Sequence, residues 1–169
     1  SYRSDQPCDD GKRAACGWNE HESPELLGRE QERWLDAGLA HDGVWNLLAQ
    51  QITVMPVDSR AVDAAHGKHN TDIWDGYRPA RRRLVDMLKK HGRGNVVIAS
   101  GDLHRHVVGE VPENDEHLAG DRIAVEFLGT SLSSGGNGSG DEDTARMLSN
   151  NPHFDLYTDR RGYQVFDIT

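Results

Sequence analysis

The apolar positions change their period several times along the chain, and each change marks an element. From residue 26 onward Leu27, Trp34, Leu35 and Leu39 recur at helical spacing, with Arg29, Glu30, Glu32, Arg33 and Asp36 between them. That pattern predicts an amphipathic helix, which His41-Asp42-Gly43 stops. Val44 to Met55 is apolar and β-branched towards its end, which predicts a buried strand ending at Pro56. Residues 56–73 form a long polar connection, of a length that in a compact domain points to function or mobility. Pro79 suits the first turn of a second helix running to about His91, with Ala80, Leu84, Met87 and Leu88 inward. The glycines at 92 and 94 end it. Asn95-Val96-Val97-Ile98-Ala99 is then a short continuous apolar run, typical of a central strand covered on both faces.

His106–Val111 and Arg122–Leu128 read as further strands, and residues 133–140 as a flexible polar loop. Asp141–Ser149 reads as a short helix whose acidic first turn suits the helix dipole. Tyr163–Ile168 is predicted as a last strand, after a turn at Arg160-Arg161-Gly162. Residues 1–24 lack sustained periodicity and read as an ordered loop or arm. Neither an internal repeat nor a domain boundary interrupts residues 1–169. Helix, tight turn and buried strand make half of a βαβ unit. The expected fold class is α/β, a mostly buried sheet flanked by helices.

Composition narrows the functions open to such a domain. The net charge of -9 argues against a nucleic-acid-binding patch, which needs a basic face. If the substrate is anionic, bound cations must overcome that field locally. No apolar run approaches the ~20 residues of a membrane span, and no signal-peptide pattern is present, so the chain itself carries no address. Cys8 and Cys16 admit two readings, a small disulfide loop in an exported protein or two unpaired thiols. A CxxC-type spacing is absent, which argues against a zinc ribbon.

The candidate chemistry lies in Ser100-Gly101-Asp102-Leu103-His104. Loops past the carboxyl ends of strands form the ligand crevice of an α/β sheet. Asp102 and His104, two apart just past the strand at 95–99, can bring a carboxylate oxygen and an imidazole nitrogen to one metal, or to a metal and its substrate. Gly101 permits a tight backbone turn before them. Locally, an Asp102 that caps a turn beside a partly exposed His104 explains the same residues equally well.

Several stretches, in order, alter that balance. They are Tyr2-Arg3-Ser4-Asp5-Gln6-Pro7-Cys8, Leu27-Gly28-Arg29-Glu30-Gln31-Glu32-Arg33-Trp34-Leu35, Trp45-Asn46-Leu47-Leu48-Ala49-Gln50-Gln51 and Asp72-Ile73-Trp74-Asp75-Gly76-Tyr77. Asn95 to His104, Glu126-Phe127-Leu128-Gly129-Thr130-Ser131, Asn151-Pro152-His153 and Arg161-Gly162-Tyr163 complete the series. Together they resemble the PhoD family of alkaline phosphatases over nearly the whole chain. The resemblance implies phosphate-ester hydrolysis outside the cytoplasm (secreted, periplasmic or cell-surface) on a calcineurin-like metallophosphoesterase β-sandwich, of which this chain would hold a part. It implies iron (Fe3+) and calcium (Ca2+) as cofactors, where cations polarise phosphoryl oxygens and generate a hydroxide nucleophile near neutral pH. Hard oxygen ligands suit both ions.

Asp102 and His104 match the family's metal motif, with Asp102 a ligand and His104 either a ligand or a hydrogen-bond partner of the phosphate. Asp72, Trp74, Asp75 and Tyr77 are candidates for a substrate-binding rim around the ester's alcohol part. The competing reading has Trp74 and Tyr77 anchoring the long loop while Asp75-Gly76 turns. Asn46, Gln50 and Gln51 read as buried amides bracing loops, and Thr130 and Ser131 as turn hydroxyls or supports of the metal loops. His153 reads as a surface-turn residue or one near the site, His106 as an outward strand residue, and His66 and His69 as solvated. Asn19-Glu20-His21-Glu22 is superficially similar to a metallophosphoesterase GNHE motif but falls where the family has a variable insert. The family's remaining ligands are expected upstream of Ser1, so the chain reads as the C-terminal portion of the catalytic domain, complete only with the missing N-terminal half. The alternative is a non-catalytic fragment or binding module that retains the scaffold. Monoesterase and diesterase activities both stay open.

Overall fold

The computed structural model describes residues 3–6, 12–14, 24–41, 43–62, 64, 68–91, 94–134, 138 and 140–167. Cys8, Cys16, His66 and the stretch 19–22 lie outside the described residues. In chain order the elements are β1 (Lys12–Ala14), α1 (Arg29–Leu39), β2 (Asn46–Ile52), β3 (Lys68–Asn70), a 3-10 turn (Trp74–Tyr77), α2 (Arg78–His91), β4 (Val96–Gly101), β5 (His106–Pro112), β6 (Arg122–Leu128), α3 (Asp141–Asn150) and β7 (Phe154–Thr158). Five strands form one sheet in the order β2-β4-β6-β5-β7, while β1 and β3 pair antiparallel as a small separate sheet. β2, β4 and β6 run parallel, with Asn46 opposite Val96 and Ile98 opposite Glu126. β5 runs antiparallel to both β6 and β7. Parallel neighbours cannot be joined by a hairpin, and α2 supplies the β2-to-β4 crossover. The expected mixed α/β architecture is what forms.

One sheet face carries the core. Leu48, Ile98, Leu128, Val107 and Val111 join Leu84 and Leu88 of α2 and Met147 of α3 in one buried cluster. The expectation that 95–99 is covered on both faces holds for this face alone. On the opposite face Val97 and Ala99 are only partly buried, and their row continues into Leu47 and Leu156, 55% and 44% exposed. Phe166 stands edge-on against Phe127 on that side, with ring centroids 5.0 Å apart. Both parities of this strand are apolar, so its sequence alone does not say which face is covered.

Other expectations need correction. Trp34 is 72% exposed, because at 3.6 residues per turn it points roughly 140° away from the buried Leu39. The strand expected over 44–55 begins at Asn46, with Val44 and Trp45 exposed, and leaves the sheet after Ile52. Residues 53–58 nonetheless stay buried, because side chains take their amides. Glu126 accepts from Val54 and Met55, Asp75 from Val57, and Asn151 from Asp58. Residues 163–167 form no strand, and Tyr163 and Val165 are 79% and 81% exposed. The edge of β5 is taken instead by β7, in a stretch the periodicity left unassigned. His69 is half-buried beside Asp75, its Nδ1 3.5 Å from the carboxylate, and is not solvated.

Candidate functional site

The carboxyl ends of three parallel strands converge at one end of the sheet. The Gly129 amide, just past β6, donates to the Ser100 carbonyl of β4 at 2.9 Å. A Cβ on Gly101 would lie 3.8 Å from the Gln51 carbonyl of β2 and 3.9 Å from that of Gly129. The chain leaves β4 here through two non-glycine residues in left-handed backbone, Asp102 (φ 74°) and His104 (φ 54°). Leu103 N donates to Gly101 O at 3.0 Å and closes a three-residue turn around Asp102. Such a conformation costs an L-residue about 1–2 kcal/mol and persists only where surrounding structure imposes it.

That imposition comes from the alternate residues. Leu103 packs against the core cluster. Arg105 donates from Nε to the Tyr157 hydroxyl at 3.0 Å and from Nη1 to the His104 carbonyl at 2.8 Å. With Leu103 and Arg105 held, Asp102 and His104 are left exposed. Neither side chain makes a hydrogen bond or ion pair among the described residues. A free carboxylate and a free imidazole on one strained loop form a hard oxygen donor and a nitrogen donor for a metal. Among the described residues no group of three or more His, Cys, Asp or Glu side chains converges to hold a metal ion. The pair therefore fits part of a coordination sphere, not a whole one.

Beneath this loop lies Glu126, which the reading of the residues passed over. It is fully buried, accepting from Val54 N at 2.9 Å, from Met55 N at 2.6 Å and from the Ser100 hydroxyl. One carboxylate thus ties the segment after β2 to the end of β4, two residues before Asp102. Burial pushes its pKa up, against the opposing pull of the Ser100, Val54 and Met55 donors. The signal was present: an acidic residue at an inward position of Arg122-Ile123-Ala124-Val125-Glu126-Phe127-Leu128 must be hydrogen-bonded if that strand is buried.

The expected rim of Asp72, Trp74, Asp75 and Tyr77 does not face solvent as a set. Trp74 and Tyr77 are fully buried and Asp75 is 1% exposed, its carboxylate accepting from Val57 N at 2.8 Å. Tyr77 holds the N-terminal arm, accepting from Arg3 Nε at 2.8 Å and donating to the Ser4 carbonyl at 2.9 Å. Asp72 is more open, but Arg3 and Gln6 each donate to its carboxylate at 2.5 Å. Trp74 N reaches the Thr53 carbonyl at 3.4 Å, so this turn abuts the end of β2 as an anchor. Gly76 is required there, because a Cβ would stand 2.0 Å from the Thr71 carbonyl.

Of the amides expected to be buried, Asn46 and Gln50 are half-buried braces and Gln51 is exposed. Asn46 donates to the Asn95 side chain at 3.3 Å, and the Gln50 carbonyl accepts from Trp74 Nε1 at 3.4 Å. Thr130 Oγ1, beside Gly129, is buried without a hydrogen-bond partner among the described residues. His153 is fully buried rather than on a surface turn, its Nε2 2.9 Å from the Pro56 carbonyl. His106 lies on the sheet face opposite the core, as expected of an outward strand residue, and is half-covered there beside Gly162.

The class of protein is an α/β sheet whose parallel strands end at one crevice, the place where such sheets bind ligands, and the Asp102–His104 loop lies there. The model of the PhoD-like phosphatase family matches residues 1–169, and the chain belongs to that family. It is 35% identical over 170 residues to alkaline phosphatase D of Bacillus subtilis (strain 168), a match covering 99% of this chain and 29% of that protein. It is also similar to a solved structure of PhoD, with a TM-score of 0.85 and 35% identity, covering 95% of this chain and 31% of that one. The chain thus spans under a third of the length of these relatives.

Proposed function

We propose that this chain is one part of a metal-dependent phosphate-ester hydrolase, in which Asp102 is a metal ligand and His104 a ligand or a hydrogen-bond donor to the phosphate. The observation that carries the reading is the pair itself, two unpartnered donors in left-handed backbone at the end of a central parallel strand. Family membership and the relative's name, alkaline phosphatase D, favour phosphate esters as substrates. Iron(III) and calcium are the metals we assign, on the resemblance and the carboxylate donor, and the setting we assign is outside the cytoplasm. Bound cations would neutralise phosphoryl charge and supply a nucleophile near neutral pH. The chain's own residues hold Asp102 and His104 outward through Leu103, Arg105 and the Glu126 brace. The share of the relatives spanned by this chain, and its half-exposed apolar sheet face, favour further ligands on segments beyond these 169 residues.

The test uses the protein at the full length of its relatives, assayed on a chromogenic phosphomonoester and a bis-ester with and without calcium. Asp102→Asn is expected to lower kcat/KM by about a hundredfold or more and to reduce bound metal per chain. Wild-type activity and metal content in that variant would refute the assignment. The preferred ester decides between monoesterase and diesterase.

A further inference from the structure

Leu103 and Arg105 turn to the side of the loop away from the exposed Asp102 and His104, and there they wall a cavity of about 260 Å³. A molecule in it does not share the strand-end crevice with the ester. The cavity floor is apolar, since Val107, Met147 and Phe154 line it and all three are buried. One charged pair on its wall is already satisfied. Asp143 is ion-paired with Arg146, which also donates to the Ser59 and Arg60 carbonyls. Arg105 is the other cation, and it has no carboxylate partner among the described residues. Its Nε donates to the Tyr157 hydroxyl at 3.0 Å and its Nη1 to the His104 carbonyl at 2.8 Å, which leaves Nη2 without an acceptor. Tyr157 is itself buried, and its hydroxyl proton has no acceptor among the described residues. In a planar guanidinium one Nη2 N–H runs parallel to Nε–H. An oxygen beside the Tyr157 hydroxyl can therefore accept from both Nη2 and that hydroxyl.

We infer that this cavity is an effector site for a small organic carboxylate with a short apolar tail, and that its occupancy stiffens the metal loop through Arg105. The tail lies on Val107, Met147 and Phe154, and the carboxylate accepts from Arg105 and Tyr157. An apolar pocket with a few fixed polar groups is the usual form of a small-molecule site. One uncompensated guanidinium balances one negative charge, which favours a carboxylate over a dianionic phosphate. Tyr157 already orients the guanidinium, so little ordering cost remains for the contact. Arg105 is also the link to the loop, because its Nη1 holds the His104 carbonyl. An anion that fixes the guanidinium lowers the cost of ordering the loop, and a metal that orders the loop lowers the cost of binding the anion. Each therefore tightens the other. The coupling, but not the cavity's own binding, rests on the proposed metal role of Asp102 and His104.

The experiment titrates the full-length protein by calorimetry with n-alkanoates from acetate to octanoate, with the matching neutral amides, and with inorganic phosphate. Affinity is expected to rise about two- to fourfold per methylene until the cavity is full. The best alkanoate is expected to bind at least about tenfold more tightly than its amide. Arg105→Gln is expected to erase that preference while keeping the dependence on tail length, which shows the cavity intact. Tyr157→Phe is expected to reduce the preference. Calcium is then titrated with the best alkanoate or its amide at saturation. The alkanoate is expected to tighten calcium about fivefold in the wild type and to leave Arg105→Gln unchanged. Equal binding of alkanoate and amide, or a preference that survives Arg105→Gln, overturns the site. Tighter binding of inorganic phosphate than of every alkanoate overturns the ligand class, and an unmoved calcium affinity overturns the coupling. If Asp102→Asn binds calcium as the wild type does while the alkanoate preference persists, the metal assignment fails and the cavity site stands.

Discussion

His153 makes a prediction whose size follows from its surroundings. The ring is fully buried, and its Nε2 lies 2.9 Å from the Pro56 carbonyl, which can only accept, so Nε2 carries the proton. Nδ1 is then a buried lone pair with no partner among the described residues. Protonating it would place a charge in the core, near the cations Arg81 and Arg122. Burial first, and those charges after it, pull the pKa from 6.5 to about 4 against the Pro56 bond. Between those values the unfolded chain holds a proton that the folded one refuses, so stability rises with pH across the window. The contribution is fully present above 6.5 and lost as pH falls towards about 4. At about 1.36 kcal/mol per pH unit the whole step is about 3 kcal/mol. His153→Gln keeps an N–H for Pro56 but does not titrate. Urea unfolding followed by tryptophan fluorescence, at steps between about pH 4 and pH 8, is expected to show the step in the wild type and its loss in the variant. The buried Trp74 supplies the signal. Parallel pH curves for the two proteins would refute the argument.

Two further outcomes test the frame around the site. Glu126→Ala orphans the buried Val54 and Met55 amides at about 1–3 kcal/mol each and unties Ser100, so it should lower both urea stability and metal retention. Unchanged stability would remove Glu126 as a brace. Gly76→Ala drives a methyl to 2.0 Å from the Thr71 carbonyl, a backbone atom that cannot rotate away. A thermal melt should show a loss of at least about 1–3 kcal/mol, roughly 2–10 °C in Tm.

The position of the Asp102–His104 loop past a central strand was legible because its cues are local. An apolar run of strand length, a glycine and then two ligand-type residues fall at the strand end, where α/β sheets place their crevices. α2, β5, β6 and α3 were legible for the same reason, since their periodicity or apolar run is complete within each segment. What the sequence could not reveal is what each element meets. The buried path of residues 53–58 depends on acceptors at Asp75, Glu126 and Asn151, up to 93 positions away along the chain. The same holds for the choice of β7 over 163–167 as partner of β5, since both stretches carry apolar positions and only the occupied edge distinguishes them. The Trp74–Tyr77 turn lost its solvent-facing reading because the arm at Arg3 and the end of β2 close over it. Chain-local chemistry sets periodicity, turns and ligand types, whereas burial and hydrogen-bond partnership are properties of segments meeting in space.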